Sequence, residues 1–265
     1  MMAPSPSSER QRRKGAANNL RETRPERHRR RYGQRDLPVE ISGSLSWVAR
    51  QCRPDLSYRV SKLQSLCTRA RLKDLSEANK VVRDAVTGSD IGLHYKAGEV
   101  DWDHLHSITV TDASHANEEL ITKTSTEPHR SQQGRVFLLT SGNPRSDDEL
   151  KVHVISYAST LIKRVCRATL QAEAYSLQGG IEEGLRIRAA IADMFDKLVL
   201  KDWERSAGQF MKHTWLTDCC SLRDHLLNPT FARCSDKRLS IDMAAMRQLI
   251  WLDDNDEPRD SLDES

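Results

Sequence analysis

The sequence predicts an α/β fold, a mixed sheet with helices packed on it, preceded by a small helical segment. Two observations carry this. Four short stretches, at residues 107–112, 134–140, 152–158 and 213–217, read as strands, with Ile108 and Val110 alternating with polar neighbours in the first. Between the third and the fourth, Leu170, Ala174, Leu177, Ile181 and Leu185 recur at the spacing of a long amphipathic helix. Three strands, a helix and a returning strand suit a mixed sheet covered by helices.

In chain order, residues 1–36 come first. They hold eleven Arg or Lys against four acids, with almost no apolar residue between Met1-Met2-Ala3-Pro4 and the Arg27-His28-Arg29-Arg30-Arg31 cluster. This composition predicts a disordered basic arm, free to meet phosphates or serve as a nuclear address, or simply a solvated tail. Residues 37–100 read as helical. Arg53-Pro54-Asp55 supplies a helix start, Leu56, Val60, Leu63 and Cys67 mark one stripe, and Leu75, Ala78, Val82 and Ala85 a second.

A second unit, residues 101–251, opens with the strand carrying Asp112 on the side of Ile108 and Val110. An irregular insertion from Glu118 to Arg130 follows, then the strand 134–140, a polar turn around Asn143-Pro144, the strand 152–158 and the long helix. Gly179-Gly180 inside that helix costs about 2 kcal/mol relative to two alanines. The strand 213–217 runs into Asp218, and Cys219-Cys220-Ser221-Leu222 opens another helix. Residues 252–265, with seven acids and one Arg, predict an acidic disordered tail whose role is solubility.

With 265 residues, 37% hydrophobic and 30% charged, the chain has enough apolar material for one core of moderate size plus a helical appendage. No apolar run reaches membrane-spanning length, and the N-terminus lacks the apolar centre of a secretory signal. The six cysteines form no C-x-x-C pair, so neither a zinc site nor a disulfide framework is indicated, and a reducing cytoplasmic or nuclear compartment is expected. His104, His106 and His115 straddle the first strand without a closing ligand pair, which argues against zinc there.

Three carboxylates stand in settings suited to a metal: Asp112 and Asp218 at strand ends, and Glu173 bordering the helical stripe. Singly, each is an ordinary turn former, helix cap or solvated acid. Converging, they would meet the needs of two divalent cations about 4 Å apart acting on a phosphodiester. Just before the Glu173 helix, Lys163-Arg164-Val165-Cys166-Arg167 forms a positive segment suited to a phosphate backbone, or a solvated charge run.

Five blocks resemble, in order, the ribonuclease H domain of copia-type LTR retrotransposon polyproteins: Thr111-Asp112-Ala113-Ser114-His115-Ala116-Asn117, Gln133-Gly134-Arg135-Val136-Phe137-Leu138-Leu139, Arg167-Ala168-Thr169-Leu170-Gln171-Ala172-Glu173-Ala174-Tyr175, Thr217-Asp218-Cys219-Cys220-Ser221-Leu222 with Asn228-Pro229, and Lys237-Arg238-Leu239-Ser240-Ile241-Asp242. The resemblance implies a ribonuclease H-like fold that hydrolyses the RNA strand of RNA–DNA hybrids. Asp112, Glu173 and Asp218 would be ligands of Mg²⁺ or Mn²⁺, and Lys163, Arg164 and Arg167 would contact the hybrid. The fourth acidic position falls on Asp242, or in another register at Ser240. Upstream, Gly43-Ser44-Leu45-Ser46-Trp47-Val48-Ala49, Arg53-Pro54-Asp55-Leu56-Ser57-Tyr58 and Gly88-Ser89-Asp90-Ile91-Gly92-Leu93-His94-Tyr95 resemble the end of the reverse transcriptase, its thumb and the connection. No Tyr-x-Asp-Asp box occurs, so no polymerase activity is expected. The alternatives are a catalytically decayed transposon fragment and a nucleic-acid-binding module without activity.

Overall fold

A computed structural model of the chain describes residues 37–122, 124–142, 149–228, 236–251 and 260–264. The basic arm of residues 1–36, the turn at Asn143-Pro144 and residues 252–259 of the acidic stretch lie outside the described residues.

The helical segment consists of α1 (Leu37–Gln51), a 3-10 turn (Pro54–Leu56), α2 (Ser57–Leu66) and α3 (Leu72–Thr87). Leu45, Ala49, Leu56, Val60, Leu63, Ala78 and Val81 form its own apolar cluster. Two details depart from the expected stripes. Cys67 falls in a second 3-10 turn beyond α2, and on α3 Val81 is fully buried while Val82 is 37% exposed, so the helix is rotated by about one residue. Arg53, 4% exposed, ties the segment together. Its guanidinium meets the Asp55 carboxylate at 2.8 and 2.9 Å and donates to the carbonyls of Gly88 at 2.6 Å and Ala85 at 3.3 Å. Those carbonyls belong to the C-terminal end of α3, where intrahelical donors run out.

The sheet has the order β3-β2-β1-β4-β5, made from β1 (His106–Ile121), β2 (Thr126–Thr140), β3 (His153–Leu161), β4 (Lys212–Thr217) and β5 (Ser261–Glu264). β1, β2 and β3 are antiparallel neighbours, whereas β4 runs parallel to β1 and β5 parallel to β4. This is the α/β architecture expected, a mixed sheet with flanking helices behind a small helical segment.

Two stretches are more regular than expected. The supposed insertion from Glu118 to Arg130 is the continuation of the β1–β2 hairpin, which pairs Glu118 with Arg130, Leu120 with Glu127 and Ile121 with Thr126. Register shifts at Ser114/Glu118 and Glu118/Leu120 interrupt it, and Ala116 and His129 take positive φ values of 58° and 61° there. Such a ribbon hides little apolar surface, so its sequence has no strand period to read. Within the acidic tail, residues 261–264 form the edge strand β5 instead of disordered chain. Leu262 is 2% exposed, and the Asp260 side chain is fully buried against Arg188.

One face of the sheet is crossed by α4 (Thr169–Met194), flanked by α5 (Trp203–Phe210), α6 (Cys220–Leu227) and α7 (Lys237–Trp251). Leu177 and Ile181 of α4 meet Trp215 of β4, Leu222 of α6 and Met243 of α7 in the main core. Gly180 permits this close approach. A Cβ there would stand 2.6 Å from the Thr111 methyl and 2.8 Å from the Thr109 methyl. The helix propensity lost at Gly180 therefore accompanies tight helix–sheet packing. Arg135 of β2 points to the same side and donates to Glu183 of α4.

The helical segment covers the other face. Strand residues alternate sides, and Gln132 donates to the Ser61 hydroxyl of α2 at 3.3 Å. Tyr58 donates to Glu118 at 2.5 Å, and Lys62 lies 3.1 Å from the same carboxylate. Among the described residues, no helix is long and apolar enough to cross a membrane.

Candidate metal centre

Parallel pairing of β1 with β4 ends at Thr111 opposite Thr217. Asp112 continues β1 and Asp218 follows the last residue of β4, so the register itself brings them side by side. Asp112 is not at the end of its strand as expected, because β1 continues to Ile121, but it stands where pairing with β4 stops. Glu173, in the second turn of α4, comes over the same point. The three residues offer carboxylate oxygens that all lie within 4.8 Å of one another.

Their environments differ. Asp112 and Asp218 are exposed, while Glu173 is 5% exposed. Burial, reinforced by the charges of Asp112 and Asp218, pushes the Glu173 carboxyl up to about 7, and the main-chain N–H of Ala113 offsets this only in part. Glu173 Oε2 is buried without a hydrogen-bond partner. A buried, unsatisfied carboxylate oxygen beside two further carboxylates is costly in isolation, and a divalent cation is the partner that relieves both burial and repulsion. The donors are all hard oxygens, which suits Mg²⁺ or Mn²⁺ better than a thiophilic ion.

Ser176, one turn after Glu173, braces the site. Its hydroxyl is shared between the carbonyls of Asp112 at 2.9 Å and Gly134 at 3.1 Å, fixing α4 to β1 and β2 where Asp112 departs. Sequence reasoning overlooked it. A serine on the buried face of a helix, three residues from a candidate ligand, was the available signal.

Asp242 does not join the three acids. It is not among the side chains whose oxygens gather within 4.8 Å, and it sits in the second turn of α7, 3.2 Å from the guanidinium of Arg164. Ser240, the other register, is also on α7, where its main-chain N–H bonds to the carbonyl of Asp236. Lys163, Arg164 and Arg167 are all exposed in the segment between β3 and α4. That segment is held from three sides: Arg130 donates to the Lys163 carbonyl at 2.5 Å, the Arg167 N–H donates to Gln171 at 2.8 Å, and Arg164 lies 5.1 Å over the Tyr175 ring. Gln171 also donates to Asp236 at 3.2 Å, and Asp236 accepts from the N–H groups of Arg238 and Leu239 at the start of α7.

The three histidines have separate partners. His104 bonds Asp101 at 2.7 Å, His106 bonds Thr214 at 2.8 Å, and His115 bonds the Cys166 carbonyl at 3.1 Å. Among the described residues, the side chains that gather in metal-ligating geometry are Asp112, Glu173 and Asp218.

No protein-family model matches the chain. No curated protein matches it either. Among solved structures, the ribonuclease H1 of the halophilic archaeon Halobacterium salinarum NRC-1 aligns with a TM-score of 0.33 at 12% identity, over 60% of this chain and 85% of that chain.

Proposed function

We propose that this protein hydrolyses the RNA strand of RNA–DNA hybrids, as a ribonuclease H domain derived from a copia-type retrotransposon polyprotein. On this reading residues 37–100 are the thumb and connection remnant of a reverse transcriptase, residues 101–251 the nuclease, and residues 1–36 an arm adding nonspecific phosphate contacts. The convergence of Asp112, Glu173 and Asp218, with oxygens within 4.8 Å and one of them buried and unpaired, carries the reading.

Asp112, Glu173 and Asp218 would hold the cation. Bound divalent metal supplies the positive charge that activates a water and stabilises a leaving oxygen. Ser176 keeps the Asp112 backbone fixed against α4, so the carboxylates need little rearrangement to bind. Exposed Lys163 and Arg167 offer charge to a phosphate backbone, and Arg164 does so while tethered to Asp242. A hybrid would be distinguished by duplex shape and the 2′-hydroxyl.

The test is cleavage of a labelled hybrid by the purified chain with Mg²⁺ or Mn²⁺, alongside Asp112→Asn. Asn keeps the shape and removes the charge, so the variant should fold and lose cutting by at least about 100-fold. Equal cutting by both proteins would end this assignment. Binding without cutting by the wild-type chain in either metal would favour the nucleic-acid-binding module.

A further inference from the structure

Between α2 and the sheet face it covers, two adjoining cavities of about 270 Å³ and 400 Å³ share Ser57, Tyr157 and Ser159 in their walls, forming one groove. The smaller has apolar walls from Pro54, Tyr58, Val110 and Val136, and Asp112 stands at its margin. The larger continues past Ser46, Ser61, Gln64 and Thr160. We propose that this groove takes a single-stranded stretch of nucleic acid, with one unpaired base seated against Tyr58 and Tyr157 next to the carboxylate cluster.

The roof limits what enters. α2 is fastened to the sheet through Ser61 to Gln132 and through Tyr58 and Lys62 to Glu118. The two volumes are those of an open cleft of small-molecule size, enough for a nucleotide but not for stacked base pairs. Two aromatic rings and aliphatic walls fit the faces of a base, while the hydroxyls and the amide of Gln64 fit base edges and a 2′-hydroxyl.

Charge within the groove points the same way. Arg135 borders both cavities from β2, but its guanidinium is bound to Glu183 on the α4 side, and Asp55 is paired with Arg53. Exposed Arg50 lies at the larger cavity. With so little net charge, the groove would bind through stacking and hydrogen bonds, and the contribution would change little with salt. This inference rests on the proposed hydrolase reading, since it makes a strand with an unpaired nucleotide beside the cut the preferred substrate.

The test uses the full chain with Ca²⁺ replacing Mg²⁺, so that binding is read without cleavage. The probes are two RNA–DNA hybrids carrying 2-aminopurine, one at an unpaired terminal nucleotide and one within a continuous duplex. Wild type and Tyr58→Phe should quench the unpaired probe and bind it roughly tenfold more tightly than Tyr58→Ala or Val136→Phe, the latter filling the seat. All four should bind the continuous duplex alike. The proposal is overturned if the two seat variants, shown by thermal melting to be folded, match wild type, or if the continuous duplex binds as tightly as the unpaired probe. A loss in Tyr58→Phe equal to that in Tyr58→Ala would also overturn it, by assigning the effect to the Glu118 hydrogen bond. Failure here with Asp112→Asn still abolishing cleavage leaves the hydrolase reading standing. Quenching without any metal-dependent cutting would reject the hydrolase reading alone.

Discussion

Arg164 holds Asp242 at 3.2 Å, joining the basic segment before α4 to the second turn of α7. The pair is partly exposed, at 56% for Arg164 and 18% for Asp242, and such pairs contribute at most about 1 kcal/mol. On the proposed reading it tethers a cation that would contact phosphate. Asp242→Asn should therefore alter KM for hybrid by less than about threefold and leave kcat and the metal midpoint nearly unchanged, whereas Asp218→Asn should abolish cutting. Metal titrations of both variants decide it. A shifted midpoint in Asp242→Asn would return that residue to the ligand set.

Glu173 makes stability depend jointly on pH and cation. Its folded carboxyl is raised to about 7 from the ordinary value of 4.5, so the metal-free native state binds more protons than the unfolded chain between those values. The stability from this residue is complete below pH 4.5 and is lost as pH rises through 7. Calorimetry should show Mg²⁺ or Mn²⁺ raising Tm little at pH 5 and clearly at pH 8. In Asp112→Asn one of the two repelling charges is gone, so the metal-free Tm should rise relative to wild type at pH 8, and the cation effect should shrink. An equal cation effect at both pH values would uncouple Glu173 from the metal.

Ser176→Ala removes the donor shared by the Asp112 and Gly134 carbonyls. A loss of about 1 kcal/mol in denaturant melts is expected, with a fall in kcat larger than any rise in KM, because the hydroxyl orients a ligand strand and does not touch hybrid. Ser176→Thr, which keeps the hydroxyl, should restore part of kcat. A change confined to KM would contradict this role.

Much of the centre was legible because it is local. Alternation identified the strands bearing Asp112 and Asp218, and the stripe of α4 put Glu173 at its border. Their convergence was not, since it depends on pairing Thr111 with Thr217 across more than a hundred residues. The same holds for Asp242, whose partner Arg164 lies 78 positions away. Gly180 read as a loss of helix stability because nothing near it in sequence reveals the methyls of Thr109 and Thr111. β5 was hidden for another reason. Two leucines among seven acids carry no strand period, and the buried Arg188 that meets Asp260 in the interior is remote in sequence.

That arginine gives the last prediction. Arg188 of α4 is 1% exposed and donates to both oxygens of Asp260, at 3.0 and 3.1 Å, and to the Met211 carbonyl at 2.9 Å. Replacing it leaves a carboxylate in the core without its guanidinium, so Arg188→Met should destabilise by about 3–5 kcal/mol. Arg188→Met with Asp260→Leu removes both charges and should regain most of that loss, because the net worth of a buried pair is small once desolvation is counted. The consequence reaches the metal centre, since β5 pairs along β4, whose end carries Asp218. Metal affinity should fall in the single variant and return in the double. Denaturant melts and metal titrations on the wild type, both single variants and the double form a complete cycle. Changes within about 1 kcal/mol throughout would mean that β5 adds nothing to the stability of the sheet.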